Sequence, residues 1–167
     1  SAKTEEVVPE KAPLTIKYSN QQVPQANICH VSVEVPDGQA DPIHASFVVD
    51  ISGSMNTEVK PHGGEASGHN VLDVACHGIN TAIAGMREYD TVEIIAFSST
   101  ARVVLSRRKM DLGGKACVKI ALMGLSPSGS TNIWDGICTA CENLPENGLV
   151  FLLTDGQPNI RPPRGEL

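Results

Sequence analysis

Five oxygen-bearing side chains stand at places in the sequence where they could share one ligand. Asp50, Ser52 and Ser54 alternate in the stretch DISGS, directly after an apolar run. Thr131 lies in the Gly- and Ser-rich stretch SPSGST, and Asp155 ends another apolar run, GLVFLLTD. Carboxylate and hydroxyl oxygens are hard ligands that suit Mg²⁺ or Mn²⁺. The set therefore predicts a divalent-cation site, whose neutral hydroxyl ligands leave the ion attractive to an incoming carboxylate.

Three apolar runs predict the strands that must position these side chains. They are IHASFVVD from Ile43, DTVEIIAF from Asp90 and GLVFLLTD from Gly148. Strands that are apolar on both faces belong in the middle of a parallel sheet. Ligands of open α/β sheets bind beyond the carboxyl ends of the strands, which is where Asp50 and Asp155 stand.

Helical patterns lie between the strands. Apolar residues at i, i+3, i+4 and i+7 predict an amphipathic helix that begins at Val71, with Asn70 or Ser67 as its cap. This order of elements predicts an α/β fold with a doubly wound, mostly parallel sheet. The predicted helices are 71–86, 115–125 and 132–144, and a short strand, ARVVLS, is predicted from Ala101.

The first part of the chain has a different character. Residues 1–13 are charged and contain proline without a period, which predicts a flexible tail. In 14–42, alternation of apolar and polar residues predicts two antiparallel or edge strands, a short N-terminal β extension. The α/β domain is then 43–167. Because GLVFLLT needs a neighbouring strand and a covering helix, we expect this domain to lack its last strands, through truncation or because a second chain supplies them.

The five residues and their order resemble the metal-ion-dependent adhesion site of the von Willebrand factor A domain, whose pattern is Asp-x-Ser-x-Ser, then a Thr, then an Asp. The resemblance covers about 43–159, and VVDISGSM, AFSSTARVV and LLTDGQPN look like the intracellular and microbial branch of the family. It implies a Rossmann-like fold in which the three hydroxyls coordinate the metal directly, while the two carboxylates act largely through water. A partner's Glu or Asp would take the open position.

What the resemblance implies is a binding module and not an enzyme, with no catalytic residues. One rival is a Mg²⁺-dependent phosphoryl-transfer or hydrolytic enzyme that uses Asp50 as its nucleophile. The dehalogenase-type pattern needs a second acid two residues later, where this chain has Ser52. The P-loop, HExxH and GxSxG motifs are absent from the sequence. A third interpretation is a structural fragment with a vestigial metal site.

Composition narrows the partners and the location. Thirteen Lys and Arg against nineteen Asp and Glu give a formal charge of −6, which disfavours nucleic acid. No apolar run approaches the roughly 18 residues that a membrane span needs, so we expect no membrane insertion. The five cysteines are an odd number and no N-glycosylation acceptor occurs. These counts favour a cytoplasmic location, or an extracellular one if a signal has been removed.

Several conspicuous side chains are predicted to have structural roles only. Cys138 and Cys141 form one CxxC without a second pair, so we expect packed free thiols and not a zinc or redox site. Trp134 follows the Thr131 loop and is expected to pack against the domain. Asp73 and Asp135 fall within predicted helices and are expected to be solvated or to cap backbone groups.

Overall fold

The computed structural model describes residues 15–23, 26–34, 41–60, 68–142, 144–156 and 158–162. The chain divides into two units, Ser1–Asp41 and Pro42–Leu167. In the first, β1 (Thr15–Val23) pairs antiparallel with β2 (Ala26–Glu34). The ladder runs from the pair of Thr15 and Glu34 to the pair of Val23 and Ala26, and the two antiparallel strands predicted within 14–42 are present. The predicted tail 1–13 lies outside the described residues.

The second unit contains a sheet of four strands with the order β5-β4-β3-β6. β3 pairs in parallel with both β4 and β6, and β5 pairs antiparallel with β4. The predicted α/β fold with a mostly parallel sheet is confirmed. The elements are β3 (His44–Asp50), α1 (Val71–Ala84), β4 (Thr91–Phe97), β5 (Ala101–Lys109), α2 (Leu112–Met123), α3 (Ile133–Glu142) and β6 (Leu149–Leu153).

Side-chain caps fix where the first two helices begin. The Asn70 side chain accepts a hydrogen bond from the Asp73 backbone N–H at 2.8 Å, and the Asp73 carboxylate accepts one from the Asn70 N–H at 2.9 Å. This capping box starts α1 and confirms Asn70 as its cap and Asp73 as a capping residue. α2 starts earlier than predicted, because the Asp111 side chain accepts from the Gly114 N–H at 2.7 Å.

Helices cover both faces of the sheet. α1 and α2 lie over one face, where Phe47, Val49 and Ile94 belong to the larger buried cluster. α3 lies over the other face, where Val48 and Phe97 pack with Ala140. A Cβ at Gly136 of α3 would lie only 3.0 Å from the side chains of Phe97 and Val48, so glycine allows this helix to approach the sheet closely.

β6 lies at an edge of the described sheet, although its apolar sequence is typical of a central strand. Leu149, Val150, Phe151 and Leu152 are 36% to 48% exposed, and Phe151 stacks on Phe47 with ring centroids 5.2 Å apart. The neighbouring strand and covering helix that the sequence led us to expect are not among the described residues, and a second chain at this edge stays a prediction. None of the described helices is long and apolar enough to cross a membrane.

Candidate metal centre

The buried strand β3 delivers Asp50 to the carboxyl edge of the sheet, where its side chain is 0% exposed. Asp50 Oδ1 accepts a hydrogen bond from the Ser52 backbone N–H at 2.7 Å, and Oδ2 accepts one from the Thr154 hydroxyl at 2.6 Å. Both donors are electrically neutral. Within the described residues, Asp50 forms no ion pair. A buried carboxylate is thus held in one orientation, and the described part of the chain places no cation beside it.

Three further oxygen atoms form a short row beside this carboxylate. Ser52 Oγ and Ser54 Oγ are 3.0 Å apart, and the Ser54 hydroxyl donates a hydrogen bond to Asp155 Oδ1 at 3.0 Å. A 3₁₀ turn, Gly53–Asn56, brings the two serines together, and its Met55 is buried in the core. Ser52 is buried, whereas Ser54 and Asp155 are exposed. The row therefore runs from the protein interior to open solvent.

The spacing of this row matches the requirements of a small octahedral cation. Neighbouring ligands at about 2.1 Å from Mg²⁺ lie about 3.0 Å from each other in octahedral geometry. The two separations along the row, from Ser52 to Ser54 and from Ser54 to Asp155, are both 3.0 Å. Hydrogen-bonded hydroxyl and carboxylate oxygens have the same separation, so the spacing is compatible with a Mg²⁺-sized ion, and it is the donor types that favour one.

The loop that carries Thr131 runs beside the serines and is fixed by backbone hydrogen bonds. The Gly53 N–H donates to the Gly129 carbonyl at 3.1 Å, and the Ser128 N–H donates to the Ile51 carbonyl at 2.7 Å. Gly129 has a φ of 79°, and a Cβ there would lie 3.0 Å from Ser99 Oγ. Only glycine combines this left-handed conformation with such a close approach.

Thr131 itself is buried and is held by Asn159. Its N–H donates to Asn159 Oδ1 at 2.7 Å, and its carbonyl accepts from the Asn159 N–H at 3.1 Å. Among the described residues, no hydrogen bond joins the Thr131 hydroxyl to the serines or to Asp155. The structure thus links four of the five predicted residues through side-chain or side-chain-to-backbone hydrogen bonds. The loop that carries the fifth, Thr131, is held beside the serines by the backbone bonds of Gly129 and Ser128.

Sequence reasoning did not find Thr154 and Asn159. In an extended strand, consecutive side chains point to opposite faces, so a pattern that selects Asp155 excludes its neighbour Thr154. β6 ends at Leu153, however, and the chain bends at Asp155, so both side chains reach the same site. Asn159 stands in a stretch without periodic pattern and gave no signal.

The residues predicted to be structural have mixed outcomes. Cys138 and Cys141 are free thiols, as expected, although Cys141 is exposed. Asp135 accepts a hydrogen bond from the Ala101 backbone N–H at 2.6 Å and so fixes the start of β5. Trp134, which was expected to pack against the domain, is 50% exposed.

The described part of the chain contains no group of three or more His, Cys, Asp or Glu side chains that could hold a metal ion. A cation held by the candidate residues would therefore depend on the serine and threonine hydroxyls in addition to the two aspartates.

The comparisons with known proteins agree on the fold. The family model for the von Willebrand factor type A domain matches residues 46–157, which is more than half of the chain. No curated protein matches the sequence.

Three solved structures illustrate the likeness. The PilB minor pilin from Streptococcus sanguinis is 18% identical with a TM-score of 0.59, over 86% of this chain and 46% of the pilin. The pilus adhesin SpaC from Lactobacillus rhamnosus GG is 23% identical with a TM-score of 0.57, over 87% of this chain and 20% of the adhesin. The conserved hypothetical protein BatB from Bacteroides thetaiotaomicron is 22% identical with a TM-score of 0.53, over 68% and 56%. This chain therefore spans only part of each protein. It belongs to the von Willebrand factor type A domain family, whose domains generally mediate protein interactions.

Proposed function

We propose that this chain is a cation-dependent protein-binding module and not an enzyme. In this proposal Asp50, Ser52, Ser54, Thr131 and Asp155 hold Mg²⁺ or Mn²⁺, and a Glu or Asp of a partner protein binds at the exposed end of the site. A divalent cation whose direct ligands are neutral hydroxyls keeps enough positive charge to attract a carboxylate.

The observation that carries the proposal is the environment of Asp50. Burial of a carboxylate is costly unless a cation compensates it, and hydrogen bonds from neutral donors meet only part of that cost. Asp50 is fully buried, and its described donors are the Ser52 N–H and the Thr154 hydroxyl. In this proposal a divalent cation from solution, held by the neighbouring row of oxygens, supplies the missing compensation.

The distribution of exposure supports separate roles for the inner and outer residues. Asp50 has both oxygens engaged in hydrogen bonds, which favours a role through bound water. Ser54 and Asp155 are exposed, so a partner side chain can approach from their side. Similar structures include a minor pilin and a pilus adhesin, which favours a protein as the ligand of this fold. The cytoplasmic location and the intracellular branch stay predictions from the sequence.

The burial of Asp50 also argues against the rival enzyme. A nucleophilic carboxylate must present a free oxygen to its substrate, and in-line attack needs open space before that oxygen. Asp50 is 0% exposed and both of its oxygens accept hydrogen bonds. We therefore propose no catalytic step.

Calorimetric titration with MgCl₂ and MnCl₂ tests the site directly. We expect the wild-type chain to bind either ion, and Asp155→Asn and Ser54→Ala to weaken binding by about tenfold or more, because each removes one oxygen ligand or its charge. Glu142→Gln is the matched control, since Glu142 is an exposed acid near the end of α3. Equal titrations for wild type and Asp155→Asn would refute the metal site.

Partner recognition is tested with two short peptides that differ only in Glu or Gln at the central position. In the presence of Mg²⁺, the Glu peptide should shift the amide NMR signals of Ser54 and Gly156, which lie at the exposed end of the site. The Gln peptide, and the Glu peptide in EDTA, should leave these signals unchanged. Equal shifts with both peptides would refute recognition of a carboxylate.

A further inference from the structure

Helix α2 is apolar on two opposite sides. Its inner side is buried through Gly114, Val118 and Leu122. Lys115 and Lys119 are the only charged residues in LGGKACVKIALM. On the outer side, apolar residues recur at i, i+4, i+8 and i+11 and so form one row along the helix. This row, the α2 stripe, consists of Leu112, Ala116, Ile120 and Met123.

The α2 stripe is open to solvent. Leu112, Ile120 and Met123 are 90%, 70% and 86% exposed, and Ala116 between them is also exposed. A helix that is apolar all round is normally buried all round. Single exposed apolar residues are common on protein surfaces, but a continuous row of them marks an interaction surface. The charges and cavities around the α2 stripe therefore indicate which kind of partner binds there.

Positive charges lie on both flanks of the α2 stripe. On one flank, Arg108 of β5 donates a hydrogen bond to Cys117 Sγ at 2.9 Å, which places its exposed guanidinium beside the helix. On the other flank lies the exposed Lys119. Lys115 is not available to a partner in the same way, because its ammonium donates to the Met86 carbonyl at 2.7 Å. The acidic Asp111 at the start of the helix is engaged as the cap.

Each end of the α2 stripe adjoins a cavity. One, of about 560 Å³, lies between α1 and the end of α2, and its lining includes Leu72, Val74 and Met123. The other, of about 530 Å³, lies at the start of α2, and its lining includes Leu112 and Met110. The lining of each cavity also includes charged side chains, Asp73 in the first and Glu88, Asp111 and Lys115 in the second, so these concave places accept both apolar and polar side chains of a docked segment.

We infer that the α2 stripe binds an amphipathic helix of a partner protein whose apolar face is flanked by acidic residues. The stripe covers three turns, about 17 Å at 1.5 Å per residue, which suits a helix-in-groove contact. Opposite charges on the flanks would fix the partner's position and exclude basic helices. This binding goes beyond the proposed metal-dependent function and needs no cation.

Two other occupants fit the surface less well. An anionic membrane is a flat surface and would leave the two cavities beside the stripe unfilled. A second copy of this chain would bring its own Arg108 and Lys119 towards the same cationic flanks, and like charges repel at such short range.

The test uses a fluorescein-labelled helical peptide of about 18 residues, with leucines in a heptad pattern and glutamates beside them, and a second peptide with lysines in place of the glutamates. Fluorescence anisotropy is measured in EDTA, so that the result is independent of the metal site. We expect the glutamate peptide to bind at least about tenfold more tightly than the lysine peptide. Leu112→Ser with Ile120→Ser should abolish this binding, and Lys119→Glu should weaken it.

Leu149→Ser is the matched control, since Leu149 is a half-exposed leucine on β6, the edge strand opposite β5. It should bind the glutamate peptide like the wild type, and circular dichroism should show that all variants fold. Three results would overturn the inference: equal binding of both peptides, no binding of the glutamate peptide at millimolar protein, or unchanged binding by the double variant. The inference would also be overturned if the wild type sedimented with phosphatidylserine vesicles or self-associated, and the double variant did not.

Discussion

The two ends of the same strands bury carboxylates in different ways. At the amino ends, Glu93 lies 3.4 Å from the Arg107 guanidinium, and Asp90 lies 2.9 Å from that of Arg87. At the carboxyl end, Asp50 is equally buried but receives hydrogen bonds from neutral groups. The chain therefore compensates buried negative charge internally at one end of the sheet and has no described cation for it at the other. This difference is what favours an external cation at Asp50.

The internal compensation at the amino end is extensive. Arg107 reaches across β4 and donates to the hydroxyl of Ser46 on β3 at 2.6 Å, and that hydroxyl donates to Glu93 at 3.2 Å. The hydrogen bond from Arg87, assisted by the backbone N–H groups of Ile43 and Arg87 and opposed by burial, lowers the pKa of Asp90 from 3.8 to about 2. The lowered pKa means that Asp90 is stable as an anion without any ligand.

The largest effect is expected from Arg107→Ala. It leaves Glu93 buried without its cation, and breaking a buried ion pair on one side costs about 3–5 kcal/mol. Urea unfolding should show this loss in the free energy of unfolding. Arg102→Ala, at an exposed arginine of the same strand, should change it by less than about 0.5 kcal/mol. Similar losses for both variants would mean that the amino end does not depend on internal compensation.

The two ends also differ in how far the sequence predicts them. Asp50, Ser52 and Ser54 are close in the chain, and Asp155 ends a strand of obvious type, so the rule that ligands bind beyond the carboxyl ends of parallel strands places all four at one edge of the sheet. The contact of Arg107 with Ser46 joins β5 to β3 across β4, and it depends on strand order and register. Strand order and register cannot be read from local periodicity, so the sequence did not indicate the contact between Arg107 and Ser46.

The start of helix α2 also could not be predicted from local sequence pattern. The predicted helix began at Lys115, whereas the observed one includes Gly113 and Gly114, which are poor helix formers. A Cβ at Gly114 would collide with the Lys109 carbonyl, so the glycine is needed where the helix packs against the end of β5. Tertiary contact thus overrides propensity. Periodicity also cannot separate the buried side of α2 from its α2 stripe, because both are apolar.

A smaller effect is expected from Asp90→Asn, and it depends on pH. The pKa of Asp90 is lowered on folding, so its contribution to stability is present above about pH 4 and is lost as the pH falls through about 2. The variant should lose about 1.5–3 kcal/mol at neutral pH, because hydrogen bonds to a charged group are removed. Urea unfolding between pH 2 and 5 should show a flatter pH dependence than for the wild type. An unchanged slope would mean that Asp90 does not carry the acid sensitivity.

The smallest effect is expected from Asp50→Asn in EDTA. The asparagine can still accept from the Ser52 N–H through Oδ1 and can donate to the Thr154 hydroxyl through its amide, while the uncompensated buried charge disappears. The free energy of unfolding should therefore change by less than about 1 kcal/mol or rise, unlike the loss for Arg107→Ala.

Addition of Mg²⁺ should then separate wild type from Asp50→Asn. A cation at ten times its dissociation constant stabilises a folded protein by about 1.4 kcal/mol. The wild type should gain this amount, and the variant should gain little, because it lacks one of the two carboxylates that balance the divalent charge. If Asp50→Asn in EDTA instead lost as much stability as Arg107→Ala, the Asp50 anion would already be compensated within the chain, and the reason for an external cation would be removed.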